Sequence, residues 1–222
     1  MPQWAAGRFV GPVSQTFCGW PLSTMHILHI ISSPRSNSYS RQLGHQIVEK
    51  LLAAHPGSTV LERDLTIHPL PHLEEVFVQG IFTPAEARTP QQQTAVGHSD
   101  EVIDQVLAAD VLVIGSPMYN FSISSSLKAW LDHLVRAGVT FSYGANGPQG
   151  LLKGKKVYLA LASGGVYSGA SPMAAYDFMA PYLKPVLGFI GLTDVEVVRV
   201  EGTSMPDLEP TALAKAIESV AV

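Results

Sequence analysis

Hydroxyl groups are concentrated in a short segment near the start of the chain. The residues are Ser33, Ser36, Ser38, Tyr39 and Ser40, and Arg35 adds a positive charge among them. The segment separates an apolar run from residues spaced for a helix, so it should lie at a helix N-terminus, where free N–H groups and the helix dipole favour phosphate. It lacks the GxGxxG pattern of dinucleotide-binding loops. The segment predicts a phosphate site, and a serine-rich helix cap is the alternative.

A second segment combines apolar and aromatic side chains with one amide. Met118, Tyr119, Asn120 and Phe121 follow the short apolar run 111–114, which is typical of a strand buried on both faces. Such a loop suits a flat heteroaromatic ring. Ordinary packing of the loop is the alternative.

A third segment follows another buried apolar run, 157–161. Ala162, Ser163, Gly164 and Gly165 end that run. Paired glycines let backbone N–H groups approach a ligand closely, and such donors could hold the edge of a flavin where negative charge develops on reduction. A tight turn would explain the two glycines equally well.

The periodicity of apolar residues predicts the elements that position these segments. It predicts strands at 25–31, 59–65, 111–114, 157–161 and 194–200. Helices are expected at 43–52, 100–109 (capped by Ser99), 127–138 (closed by Gly138), 172–190 (broken by Pro181 and Pro185) and 206–220, with a long loop at 66–98 and a turn-rich segment at 144–150. Alternating strands and helices indicate an α/β protein with a doubly wound, five-stranded parallel sheet and helices on both faces.

The three segments should meet, because the carboxyl ends of parallel strands lie at one edge of a sheet. In chain order, the three segments suit a phosphate, a flat ring and the edge of that ring. This arrangement describes a site for flavin mononucleotide (FMN) on a flavodoxin-like fold with strand order 2-1-3-4-5.

Composition limits the remaining possibilities. The chain has 222 residues, is 46% hydrophobic and 14% charged, and carries a net charge of −4. These values favour a single folded domain at 25–222 and argue against nucleic acid as a partner. Residues 1–24 have no period, and we expect a disordered extension there. Cys18 is the single cysteine, which fits a reducing, cytoplasmic compartment, and no apolar stretch is long enough to span a membrane.

No metal site is expected from the first strand. His26 and His29 are three residues apart and should face opposite sides of it, so they cannot share an ion.

Longer blocks of sequence carry a family resemblance. The blocks are 117–123, 127–128, 136–141, 146–148 and 150–156. Together they resemble the FMN-dependent NADH-azoreductases, a family of homodimeric NAD(P)H:quinone oxidoreductases that also cleave azo dyes. The resemblance runs from Met25 to the C-terminal helix.

The resemblance implies FMN contacts at each of the three segments. These contacts fall at Ser33, Ser38, Tyr39, Ser40, Met118, Tyr119, Asn120, Phe121, Ala162, Ser163, Gly164 and Gly165. Tyr143 and Phe189 would line the substrate side. Two features depart from the family: the first loop is about one residue shorter, and Ser163 stands where many relatives have arginine.

The resemblance also implies a mechanism and an assembly. FMN, one per subunit, would pass two electrons as hydride from NADH or NADPH to quinones and azo compounds in ping-pong order. The cofactor would carry the chemistry, with no dedicated catalytic side chain. The site would lie at a homodimer interface, covered by the partner's segment 66–98.

Two other functions are compatible with the fold. A flavodoxin-type electron carrier would normally be strongly acidic and would expose one flavin edge, which the modest charge and the segment 66–98 argue against. A binding module that has lost the flavin is disfavoured by the intact segment 118–121, although Ser163 leaves room for it.

Overall fold

The computed structural model describes residues 24–145 and 147–222. Of the predicted N-terminal extension, 1–24, all but Thr24 lies outside the described residues. The strands are β1 (His26–Ile31), β2 (Thr59–Asp64), β3 (Val111–Pro117), β4 (Phe141–Gly144), β5 (Gly147–Gly150), β6 (Lys156–Ala162) and β7 (Asp194–Val200). The α-helices are α1 (Tyr39–Ala54), α2 (Glu75–Phe82), α3 (Pro90–Ala108), α4 (Ser125–Leu134), α5 (Ala180–Phe189) and α6 (Glu209–Glu218).

Five strands form one parallel sheet in the order β2-β1-β3-β6-β7. The central strands run in register, with Ile27 opposite Val111 and Leu112 opposite Val157. The remaining two strands, β4 and β5, pair separately as an antiparallel hairpin. All five parallel strands therefore end at the same edge of the sheet, where the three predicted segments begin.

Alternate residues of the same strands enter two hydrophobic clusters. One cluster joins strand residues such as Leu28 and Ile114 to helices α3, α4 and α5, and its largest side chain is the fully buried Trp130. The other cluster joins Ile27 and Val113 to α1 and α6. Strand residues thus alternate between the clusters with the period of two that an extended backbone imposes.

The segment 66–98 is not the long loop that the sequence predicts. It contains α2, and α3 begins at Pro90 rather than at residue 100. The signal is a capping box in which the side chains of Thr89 and Gln92 bind each other's backbone N–H groups. The run of polar residues that follows Pro90 hides the helical period. Ser99 does not cap a helix; it is buried within α3, where its hydroxyl donates to the His133 carbonyl at 2.5 Å.

Other boundaries also differ from the sequence prediction. Helix α4 ends at Leu134, four residues before Gly138, which adopts φ +76° in the turn that follows. The turn-rich segment 144–150 contains the last residue of β4 and the whole of β5. Within 172–190 only Ala180–Phe189 is α-helical, with Pro181 in its first turn and Pro185 inside it. Among the described residues, no helix combines the length and the apolar character needed to cross a membrane.

Candidate active site

A cavity of about 260 Å³ lies at the carboxyl edge of the sheet. The segments after β1, β3, β6 and β7 all contribute to its wall. The lining residues are Ser33, Arg35, Ser38, Tyr39, Ser40, Pro117, Met118, Tyr119, Ala162, Ser163, Gly164, Thr203 and Ser204. The structure therefore brings together members of all three segments that the sequence singles out.

The first segment leads directly into helix α1. Ser38 is the N-cap, and its hydroxyl accepts a hydrogen bond from the Arg41 N–H at 3.4 Å. The N–H groups of Tyr39 and Ser40 donate no hydrogen bond within the described residues, as expected for the first turn of a helix. No acidic residue occupies that turn. The helix dipole and the free donors therefore favour an anion in this part of the cavity.

A buried ion pair holds the first segment in place. The Arg41 guanidinium binds the Asp64 carboxylate at 2.8 Å and the Ser33 carbonyl at 3.0 Å. Burial alone would raise the pKa of Asp64, but hydrogen bonds from Thr66 and Arg41 outweigh burial and lower it. Because Asp64 stays charged, the end of β2 anchors the loop that follows β1.

The Tyr39 hydroxyl has its own partner outside the cavity. It donates a hydrogen bond to Glu209 in α6, and this bond, together with burial and the carboxylate charge, raises the pKa of Tyr39. The interaction connects the start of α1 to the start of α6.

The second segment is a tight turn with a left-handed backbone. Tyr119 and Ser122 exchange backbone hydrogen bonds of 2.9 and 3.0 Å. Between them, Asn120 has φ +48° and Phe121 has φ +70°. Asparagine tolerates the left-handed region, whereas for phenylalanine this conformation is unfavourable by about 1–2 kcal/mol. Such strain persists where the surroundings hold the backbone, and it clusters at functional sites.

The third segment is bound to the segment that follows β7. The backbone N–H of Thr203 donates to the Ser163 carbonyl at 3.2 Å, and the backbone N–H of Ser204 donates to the Gly164 carbonyl at 3.0 Å. A Cβ atom at Gly164 would lie 2.8 Å from the Ser204 hydroxyl, so a larger residue there would have to displace that hydroxyl. The N–H groups of Gly164 and Gly165 donate no hydrogen bond among the described residues, which leaves both available to a ligand.

Several predicted residues lie outside the cavity wall. Asn120 lines a neighbouring groove of about 700 Å³, which shares Tyr119 with the cavity. The Phe121 ring packs 5.4 Å from the ring of Tyr176, and Gly165 follows the lining residue Gly164 without reaching the wall.

The two substrate-side residues also lie outside this cavity. Tyr143 and Phe189 both contact the ring of Phe141, at 5.5 and 4.5 Å, and neither lines the cavity of its own chain. Tyr143 is 74% exposed.

Thr203 and Ser204 are lining residues that the sequence analysis missed. They come directly after the last strand of the sheet, following Gly202. The signal was present, because every parallel strand ends at the same edge and the fifth strand must also place a loop there.

Comparison with known proteins assigns the chain to a fold class and then to a family. The family profile described as a flavodoxin-like fold matches residues 25–222. An FMN-dependent NADH:quinone oxidoreductase of Mesorhizobium japonicum is 50% identical over 198 residues, which cover 88% of this chain and 94% of that protein. A protein of the same name from Herminiimonas arsenicoxydans is 52% identical over 180 residues, covering 81% and 88%.

Solved structures agree with these relatives. An azoreductase from Bacillus anthracis str. Sterne has a TM-score of 0.82 at 32% identity, covering 88% of this chain and 96% of that one. An FMN-dependent NADH-azoreductase from Bacillus anthracis str. Ames Ancestor, solved in complex with FMN, has a TM-score of 0.77 at 25% identity, covering 87% and 97%. The chain therefore belongs to the family of FMN-dependent NADH:quinone oxidoreductases and azoreductases, which are flavodoxin-like oxidoreductases.

Proposed function

We propose that this chain binds FMN, oxidises NADH and reduces quinones and aromatic azo compounds. The observation that carries the proposal is the single cavity in which the start of α1 adjoins the loops after β3 and β6. The names of the relatives and the FMN complex of a structural neighbour support it. NADPH is the alternative donor.

The hydroxyl-rich end of the cavity fits a phosphate. The hydroxyls of Ser33, Ser38 and Ser40 and the free N–H groups at the start of α1 would hold the phosphate oxygens. The cation of Arg35 lines the same end. In the part of the chain that the structure describes, the wall offers uncharged donors, one cation and no carboxylate, which is a suitable donor set for a phosphate dianion.

The other end of the cavity fits a flat ring. Met118 and Tyr119 from the loop after β3 line it, together with Ala162, Ser163 and Gly164 from the end of β6. The free N–H groups of Gly164 and Gly165 would hold and polarise the ring edge. The turn at Asn120–Phe121 also has two N–H groups without a hydrogen bond inside the described residues, and we propose that they contact the ring as well.

The bound cofactor would supply the redox chemistry. When bound, FMN supplies two-electron hydride transfer, which we propose runs in ping-pong order with NADH first and the quinone or azo compound second. Among the lining residues that the structure describes, only Arg35, Tyr39 and Tyr119 are ionisable. The role that we propose for the chain is to bind, orient and polarise the cofactor. We propose that it contributes no catalytic acid, base or nucleophile.

We also propose that the working form is a cytoplasmic homodimer with one domain, 25–222, per subunit. The support is the position of Tyr143 and Phe189, which lie outside the cavity of their own chain while Tyr143 is largely exposed. A second subunit would bring these aromatic rings, and its segment 66–98, over the site. We also propose that serine at position 163, in place of the arginine of many relatives, changes the charge of the cavity and with it the nicotinamide preference or the range of substrates.

A steady-state assay tests this function. Purified protein reconstituted with FMN should reduce a benzoquinone and an azo dye with NADH, and double-reciprocal plots should give parallel lines. Intersecting lines would contradict ping-pong order. Bound FMN without quinone reduction would favour the electron carrier, and failure to bind FMN would favour the binding module.

A further inference from the structure

A second group of ligating side chains lies on the flank of the sheet, away from the cavity. His29 comes from β1, His45 from α1 and Glu62 from the edge strand β2. One ligand atom from each of the three lies within 4.8 Å of the other two. None of the three lines the cavity at the carboxyl edge. We call these three residues the flank cluster.

The distances within the flank cluster suit an ion better than hydrogen bonds. The Glu62 carboxylate lies 3.5 Å from Nδ1 of His29 and 4.0 Å from Nδ1 of His45. Both distances exceed the ordinary N–H···O range. Ligands about 2.1 Å from a tetrahedral metal ion lie ~3.4 Å from one another. The three groups are therefore spaced around a gap that one ion would fill after small side-chain shifts.

The fold holds one of the three ligands rigidly. The His29 side chain is 1% exposed, although its strand neighbours on the same face, Ile27 and Ile31, are apolar. Its ring fits beneath α1 because residue 44 is glycine; a Cβ atom there would lie 2.5 Å from Nε2 of His29. Glycine inside a helix costs about 1 kcal/mol relative to alanine. Helix α1 therefore carries this destabilising glycine at the position where the His29 imidazole packs against it.

The other two ligands are open to solvent. The side chains of His45 and Glu62 are 45% and 46% exposed, so both can adjust and an ion can reach them. The positive charge of Arg41, one turn before His45 on α1, acts on His29. Its charge is balanced by the Asp64 carboxylate 2.8 Å away. Repulsion of an incoming metal ion is therefore small.

We propose that His29, His45 and Glu62 bind a divalent transition metal ion, with Zn²⁺ as the best fit and water as the fourth ligand. Two imidazoles and one carboxylate form a donor set that favours zinc, copper or nickel, whereas magnesium and calcium prefer oxygen donors alone. The ion would join β1, β2 and α1. It would thereby fix the helix whose other end contributes to the cavity.

Calorimetric titration of the full-length protein with zinc chloride tests the site. The affinity tag is removed and the protein is treated with EDTA and dialysed before titration. We expect one zinc ion per chain, and a weakening of at least tenfold in His45→Ala and in Glu62→Gln. Both side chains are nearly half exposed, so these variants should fold. The matched control is His68→Ala, an exposed histidine outside the flank cluster, which should bind zinc as the wild type does.

Thermal unfolding provides a second readout. Excess zinc should raise the Tm of the wild type and of His68→Ala and leave the Tm of His45→Ala unchanged. Absence of zinc binding, equal binding by all variants, or magnesium binding as tight as zinc binding would each overturn the proposal. FMN binding is measured on the same samples. Because we expect His45→Ala to bind FMN normally, failure of the zinc site is distinguishable from failure of the proposed function.

Discussion

The units β1–loop–α1 and β3–loop–α4 have the same plan but use different means to shape the site. In each, a buried strand leads through a short loop into a helix capped by serine, Ser38 in one and Ser124 in the other. The loop after β1 keeps ordinary backbone angles and presents hydroxyls. The loop after β3 contains Asn120 and Phe121, the two non-glycine residues with positive φ in the described part of the chain.

The difference shows two ways of placing donors at a ligand. The first loop uses side-chain composition and the free N–H groups of a helix, which cost no backbone strain. The second uses a left-handed turn, in which the N–H groups of Asn120 and Phe121 donate no hydrogen bond within the described residues. The turn costs about 1–2 kcal/mol at a residue such as Phe121. Composition is visible in a sequence, whereas strain of this kind is visible only in the backbone.

The largest effect is expected from a charge at one of the two serine caps. Aspartate caps a helix as well as serine does, so Ser38→Asp should keep the fold. It would also place a carboxylate in the cavity beside the phosphate. We expect roughly 100-fold weaker FMN binding, equivalent to ~3 kcal/mol, measured by fluorescence titration. Ser124→Asp is the matched control, and it should change the dissociation constant less than threefold. Equal effects at both caps would remove the distinction between the two units.

The second effect concerns the body of helix α1. Alanine normally stabilises a helix relative to glycine, but Gly44→Ala would bring a methyl group against His29. We expect it to lower the free energy of unfolding by about 2 kcal/mol in urea denaturation. Gly97→Ala in α3, where nothing lies within 4 Å of the added atom, should instead stabilise by ~0.5–1 kcal/mol. A stabilised Gly44→Ala would show that His29 does not require the glycine.

The third effect tests the left-handed turn. Asn120→Val puts a β-branched residue at φ +48° and should lower the free energy of unfolding by about 1–2 kcal/mol. FMN affinity should fall with it. Asn37→Val, at an exposed position of the first loop without positive φ, should change stability by less than ~0.5 kcal/mol. The same loss at both asparagines would mean that the turn stores no strain.

The smallest effect is confined to acid pH. The pKa of Asp64 is lower in the folded chain than in the unfolded chain, so the unfolded state binds more protons at low pH. The stability that Asp64 contributes is present above its unfolded pKa of about 4 and is lost as the pH falls through its folded pKa. Asp64→Asn should flatten the acid limb of a plot of unfolding free energy against pH. An unchanged acid limb would show that the hydrogen bonds from Arg41 and Thr66 do not stabilise the charged form of Asp64.

The sequence was sufficient to predict the alternation of strands and helices and most of the residues that line the cavity. Buried strands such as 111–114 and 157–161 are continuous apolar runs, and each pointed to the loop that follows it. The start of α3 was missed because its first turns are polar and exposed. Thr203 and Ser204 were missed because hydroxyls after an edge strand carry no motif.

Two further features depended on distances that no local pattern encodes. The flank cluster joins three elements that are far apart in sequence, so the spacing of His26 and His29 could not reveal it. The packing of Tyr143 and Phe189 around Phe141 likewise follows from the β4–β5 hairpin and α5, which the sequence showed only as turns and an interrupted helix.

We propose that the cavity at the carboxyl edge holds FMN for two-electron transfer. An anaerobic visible spectrum of the purified protein, recorded before and after addition of NADH, tests this most directly. We expect an oxidised flavin spectrum that bleaches within seconds without a semiquinone band. A chain that shows no flavin spectrum even after reconstitution with FMN would contradict it.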